Sequence, residues 1–158
     1  MAVKQDGSSE EALNRALRFL GYCPRSEPEV RAKLGQLGFS DDVVTATVER
    51  LRSLKLLDDE RFARSWAQGR AENRGYGPLR IERELGRKGI RRDLIREIVR
   101  ELFGGQGGKE QARTLLQKRF AGKNLSDPKI LRRAISYLQR RGYRDAVIGE
   151  ILRTPTED

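Results

Sequence analysis

The side chains of this sequence best suited to chemistry are arginine and lysine, and they gather around two glycines. Arg87, Lys88, Arg91 and Arg92 surround Gly89, and Arg140, Arg141 and Arg144 surround Gly142 at matching positions. Arg80 and Arg83 precede the first cluster, and Arg132 and Arg133 the second. Guanidinium groups hold phosphate or carboxylate oxygens through paired, charge-assisted hydrogen bonds. Two turns with the same basic character therefore suit an edge that binds such oxygens. A solvated charged surface is the plainer alternative, because charged turns are common. The matching turn near Gly38 carries Gln36, Leu37, Ser40 and Asp41, with no positive charge.

The chemistry that is missing narrows the choice. The sequence has no histidine and one cysteine. It therefore lacks the commonest general base and has no zinc-ligand set. Cys23 cannot form an internal disulfide, which fits a reducing compartment. No phosphate-cradling loop ending in Lys-Ser or Lys-Thr is present. Gly104-Gly105-Gln106-Gly107-Gly108 is glycine-rich, but no strand leads into it, and it reads as a flexible joint. Asp58, Asp59 and Glu60 form a tight acidic cluster whose simplest role is at a helix start, facing the positive end of the dipole. No catalytic residue, metal site or cofactor is expected, and the chain does not read as an enzyme.

The basic turns sit in an internal repeat. Leu34, Leu85 and Leu138 are each followed four residues later by glycine and then by a large apolar residue: Phe39, Ile90 and Tyr143. The leucines lie 51 and 53 residues apart, a period that marks a repeat architecture. Val30, Ile81 and Ala134 stand four residues before the leucines. Val44, Ile95 and Ile148 stand six after the glycines, and Val48, Val99 and Leu152 ten after. These offsets place apolar residues on one face of a helix and then on one face of the next. The glycine between them suits the left-handed position that ends a helix. Each repeat opens with a further helix, marked by Ala12, Ala16, Leu17 and Leu20, by Phe62, Ala63 and Trp66, and by Ala112, Leu115, Leu116 and Phe120. Ser26-Glu27-Pro28-Glu29 has the form of a capping box. Gly77-Pro78 and Asp127-Pro128 put proline in a first helical turn, where its missing N–H costs nothing. Asp127 stands about one turn further from its glycine than Ser26 does, so the third middle helix should be longer.

The expected fold is all-α: three tandem three-helix repeats. The boundaries read as a disordered N-terminus over 1–9, repeats over 10–57 and 58–103, the glycine joint over 104–108, a third repeat over 109–153 and a tail over 154–158. A low apolar share of 37% beside 35% charged residues suggests an extended monomer with much exposed surface. Net charge is +10, and it rises along the chain from +1 over 10–57, through +3 over 58–103, to +6 over 104–158. Such a basic chain implies attraction to nucleic acid or an acidic protein. With no long apolar run, no signal-peptide pattern and no lipidation motif, membrane attachment is not expected. A helix–turn–helix reader would need base-reading side chains. Residues 93–102 read Asp-Leu-Ile-Arg-Glu-Ile-Val-Arg-Glu-Leu, without Asn, Gln, Ser or Thr, so phosphate contact suits them better.

The middle of the chain resembles the RecX family, bacterial regulators of the RecA recombinase. The resemblance rests on Leu56-Leu57-Asp58-Asp59-Glu60-Arg61-Phe62-Ala63, Arg70, Gly77-Pro78, Ile81, Glu84-Leu85 and Lys88-Gly89-Ile90. Ala16-Leu17, Leu20, Arg25-Ser26-Glu27, Glu29-Val30 and Lys33-Leu34 extend it into the first repeat, and the third repeat shares the apolar skeleton. Asp58, Asp59, Phe62, Ala63, Trp66, Gly77, Leu85, Gly89 and Ile90 are thereby expected to be structural motif residues. The resemblance implies a curved rod of helical repeats. It also implies a cytoplasmic role in recombination, DNA repair and the SOS response. Its implied partners are the RecA filament and DNA, single-stranded in the first place and double-stranded in the second. Restraint of ATP hydrolysis, strand exchange and co-protease activity is the implied effect. The charge pattern taken alone supports a second class, a general nucleic-acid-binding helical module. The candidate binding residues under either reading are Arg80, Arg83, Arg87, Lys88, Arg91, Arg92, Arg132, Arg133, Arg140, Arg141 and Arg144.

Overall fold

The computed structural model describes residues 8–153. The expected tails fall outside that span, apart from Ser8 and Ser9, which open the first helix. Among the described residues there are nine α-helices and no strand. They are α1 (Ser9–Tyr22), α2 (Glu27–Gln36), α3 (Asp41–Ser53), α4 (Asp59–Arg74), α5 (Pro78–Arg87), α6 (Arg92–Phe103), α7 (Lys109–Arg119), α8 (Pro128–Arg141) and α9 (Asp145–Arg153). They fall into three tandem three-helix repeats. Two compact units can be described separately. The first runs to Ala63 and takes in Arg87–Ile90; the second holds Arg64–Gly86 and the chain from Arg91 onward.

Most of the repeat signature is buried as the periodicity requires, but Ile98 and Ile151 take the core places expected of Val99 and Leu152, which are half-buried one position further round their helices. Leu34, Leu85 and Leu138, with Val30, Ile81 and Ala134 one turn earlier, have no exposed surface. Burying a leucine of this kind is worth about 1.5–3 kcal/mol. Gly38, Gly89 and Gly142 have φ of 91°, 77° and 96°, the left-handed region where a Cβ is penalised. Past each glycine the chain closes a Schellman motif where the pattern is complete: Phe39 N–H donates to Leu34 O at 3.3 Å, and Tyr143 N–H to Leu138 O at 3.1 Å. The third middle helix is longer, with 14 residues against 10 in each of the others.

In the first unit α1–α3 enclose Ala12, Ala16, Val30, Leu34, Val44, Val48, Leu51 and Leu57. Leu17, expected on the buried stripe of α1, is 38% exposed. At about 100° per residue it falls past the edge of the face set by Ala12 and Ala16, and Leu13, Phe19 and Leu20 flank the core instead. The capping box at Ser26 is complete: its side chain accepts from Glu29 N–H, and Glu29 Oε1 accepts from Ser26 N–H at 3.2 Å. In the second unit Ala112, Leu116, Ala134, Leu138, Tyr143, Ile148 and Ile151 form the core of the third repeat. The Gly104–Gly108 stretch, read as a loose joint, takes up a 3-10 turn over Gly104–Gln106. Gly108 then donates to Phe103 O at 3.3 Å and leads directly into α7.

Candidate nucleic-acid interface

The eleven basic candidates divide into side chains that the fold uses and side chains that it leaves to solvent. In the first unit Lys88 Nζ lies 3.4 Å from both carboxylate oxygens of Glu29, while its carbonyl accepts from Ser26 Oγ at 2.6 Å. Lys88 is thus a structural clamp on the start of α2. Arg87 beside it is exposed.

In the second unit Arg80 and Arg141 are likewise drawn inward. The Arg80 guanidinium lies 3.9 Å from the centre of the Tyr76 ring and donates to the Arg140 carbonyl at 3.0 Å. Arg141 donates to the Arg74 carbonyl and stacks 5.1 Å from the Tyr137 ring. Cations over aromatic faces contribute about 0.5–2 kcal/mol each. Arg70 continues the series, 4.3 Å from the Trp66 ring and ion-paired with Glu84 at 3.3 Å, while Trp66 donates its indole N–H to Glu84 at 3.0 Å. Three arginines and three aromatic rings thus interleave across the second and third repeats, and phosphates are not needed to satisfy them.

The remaining candidates, Arg83, Arg91, Arg92, Arg132, Arg133, Arg140 and Arg144, are exposed. Arg132, Arg133 and Arg140 lie on one face of α8. Lys129 and Ser136 join them to line a shallow surface groove of about 360 Å³. The spacing i, i+3, i+4, i+7, i+11 explains the alignment, since residues three and four apart share a helix face. The opposite face of α8 carries the buried Ala134 and Leu138, so packing fixes which way the cations point. None of the four cations pairs with a carboxylate among the described residues. Lys129 and Ser136 escaped the sequence reading, although the helical period running outward from Arg132 and Arg133 marks both. Arg91 and Arg92 flank the start of α6, with Arg91 at its N-cap position.

The motif residues have structural employment. Asp58 Oδ1 accepts from Arg61 N–H at 3.1 Å, a helix-start cap for α4. Asp59 Oδ1 instead accepts from Glu27 N–H at 2.7 Å, so it caps α2 from a distance. Burial pushes the Asp59 carboxyl above its usual range, outweighing that hydrogen bond. At Glu27 burial also acts upward, but hydrogen bonds and charge from Arg52 and Arg31 outweigh it and hold the carboxyl below its usual range. Phe62, Ala63, Leu85 and Ile90 are buried. Gly77 is required by close approach: a Cβ there would come within 2.8 Å of the Gly142 carbonyl oxygen.

The fold and surface define a class: a protein of tandem three-helix repeats whose α8 face carries cations without a carboxylate partner among the described residues. Models of the first, second and third three-helix domains of RecX match residues 12–51, 58–99 and 109–152. The chain belongs to the RecX family. It is 29% identical over 153 residues to the Regulatory protein RecX of Mycobacterium avium (strain 104), covering 96% of this chain and 88% of that one. It is 33% identical over 138 residues to the Regulatory protein RecX of Trichlorobacter lovleyi, covering 86% and 90%. The crystal structure of RecX from Lactobacillus salivarius shares the fold, with a TM-score of 0.75, 24% identity, and coverage of 91% of this chain and 94% of that one. No helix among the described residues is long and apolar enough to cross a membrane.

Proposed function

We propose that this chain is a non-enzymatic, cytoplasmic regulator that binds the RecA–single-stranded-DNA filament and restrains its ATPase, strand-exchange and co-protease activities. Its role belongs to recombination, DNA repair and the SOS response. Membership of a family whose relatives are named regulatory proteins supports the regulatory part. The observation that carries the binding part is the α8 face, where Lys129, Arg132, Arg133 and Arg140 stand together with no carboxylate partner among the described residues. Unpaired cations on a rigid helix can displace counterions from a phosphate backbone at little cost in side-chain or charge rearrangement. Arg83, Arg87, Arg91, Arg92 and Arg144 are further candidates, whereas Lys88, Arg80 and Arg141 act through the fold.

The same cationic face favours a second reading, a general nucleic-acid-binding module that ignores RecA. RecA's DNA-dependent ATP hydrolysis, measured with and without the protein, separates the two. The regulator slows hydrolysis well below the concentration that coats the DNA. A general binder slows it only at saturation, as an unrelated basic protein would.

A further inference from the structure

The middle helices of the three repeats end in the same left-handed glycine turn, and two of the three turns are seated on a helix start. In the first unit the Lys88–Gly89 turn lies on the start of α2. Ser26 Oγ donates to the Lys88 carbonyl, and a Cβ on Gly89 would come within 2.6 Å of Pro28. In the second unit the Arg141–Gly142 turn lies on the start of α5. Gly77 N–H donates to the Arg141 carbonyl at 2.6 Å and Leu79 N–H to the Gly142 carbonyl at 2.9 Å. A Cβ on Gly142 would come within 2.5 Å of Arg80. Both seats have one chemistry. A helix with proline in its first turn, Pro28 or Pro78, offers orphan N–H groups or its cap hydroxyl to the carbonyls of the turn.

The third copy of the turn, Leu37–Gly38, keeps the geometry and has no seat. Gly38 has the same left-handed φ, yet a Cβ there would meet nothing within 4 Å. No described group donates to the Leu37 or Gly38 carbonyl. Leu37, in the place of Lys88 and Arg141, is 42% exposed. We propose that the Leu37–Gly38 turn is a docking site for the proline-bearing first turn of a helix on the partner protein. This rests on the functional reading above, in which that partner is the filament protein. Lys88 meets a carboxylate and Arg141 a carbonyl; Leu37 calls instead for an apolar neighbour beside the incoming helix. A second copy of this chain fits poorly. Its α2 and α5 starts are covered by its own turns. The start of α8 follows a longer loop and sets Asp127 and Lys129 against the leucine.

The test uses the full-length chain with benzoylphenylalanine in place of Leu37, irradiated on RecA filaments assembled on single-stranded DNA. The cross-linked peptide should come from RecA and should contain a helix start with proline in its first turn. Leu37→Asp should weaken filament binding about tenfold, the loss expected when one leucine's burial is forfeited. Its affinity for bare single-stranded DNA should not rise, and Leu37→Gln, which adds no charge at the end of α2, should show the same loss of filament binding with a thermal midpoint near that of wild type. Cross-links to DNA, to a second copy or to a RecA segment without such a helix start overturn the inference. So does unchanged filament affinity of Leu37→Asp where wild type binds. Wild type that ignores the filament overturns the functional reading, and this inference with it.

Discussion

Replacing Lys129, Arg132, Arg133 and Arg140 together by glutamine should strip the α8 face of its charge while sparing the fold. Three of the positions are exposed arginines and the fourth an exposed lysine, and Ala134 and Leu138 keep the packed side of the helix. Glutamine is about as good a helix former as either. Each phosphate neutralised contributes about −0.7 to the slope of log K against log salt on single strands. If all four cations reach phosphates, the slope should become shallower by about 2.8. Between 50 and 200 mM salt, those contacts would account for a change of about fiftyfold in wild-type affinity. Fluorescence anisotropy with a labelled oligonucleotide at four or five salt concentrations measures this directly. Arg80→Gln combined with Arg141→Gln is the control. It removes cations committed to Tyr76, Tyr137 and backbone carbonyls, so it should lower stability by about 1–3 kcal/mol and leave the salt slope nearly unchanged. An unchanged slope in the fourfold variant would refute the assignment of α8. A slope flattened as much by the control would refute the division between structural and binding arginines.

Further outcomes follow from local geometry. Gly38→Ala should cost about 1–2 kcal/mol in denaturant unfolding, the penalty of a left-handed residue alone. Gly89→Ala and Gly142→Ala should cost more, because a Cβ meets Pro28 at 2.6 Å in one case and the Arg80 backbone N at 2.6 Å in the other. The lowered Glu27 carboxyl contributes stability that is fully present above the ordinary glutamate range and lost as pH falls from that range through the lowered folded value. Glu27→Gln should therefore flatten the acid limb of a stability–pH profile and reduce stability at neutral pH. The raised Asp59 carboxyl works in the opposite direction, its ionisation costing stability as pH rises through the aspartate range, so Asp59→Asn should remove that opposing slope. Burial pushes the Tyr143 phenol up to about 12, so ultraviolet titration should show a late step that Tyr143→Phe removes. Stability should fall as pH rises from about 10, where an unfolded tyrosine ionises, toward that value.

The helices were legible because their signals are local. Leu34, Leu85 and Leu138 with their following glycines mark the end of each middle helix, and Pro28, Pro78 and Pro128 mark the starts. The roles of individual cations were not legible, because they depend on neighbours far away in the chain. Lys88 reads as one of four basic residues around Gly89, yet Glu29, 59 residues earlier, claims it. Arg80 and Arg141 read as members of basic clusters, yet Tyr76 and the carbonyls of Arg140 and Arg74 take them up. Asp59 passes for an ordinary first-turn carboxylate, and nothing in the local sequence says that it caps α2. The α8 face was half legible: the arginines were visible singly, and only the helical period aligns them with Lys129 and Ser136. The Leu37–Gly38 turn stands out only when the seats of the other two turns are known.

The central claim is that this chain recognises a RecA filament and not merely its DNA. Affinity for RecA filaments on single-stranded DNA should be compared with affinity for the same DNA without RecA, at one salt concentration near physiological. Binding to the filament should be markedly tighter and should persist at salt that abolishes binding to the bare strand. Equal affinity for the two, with the same salt dependence, would contradict it.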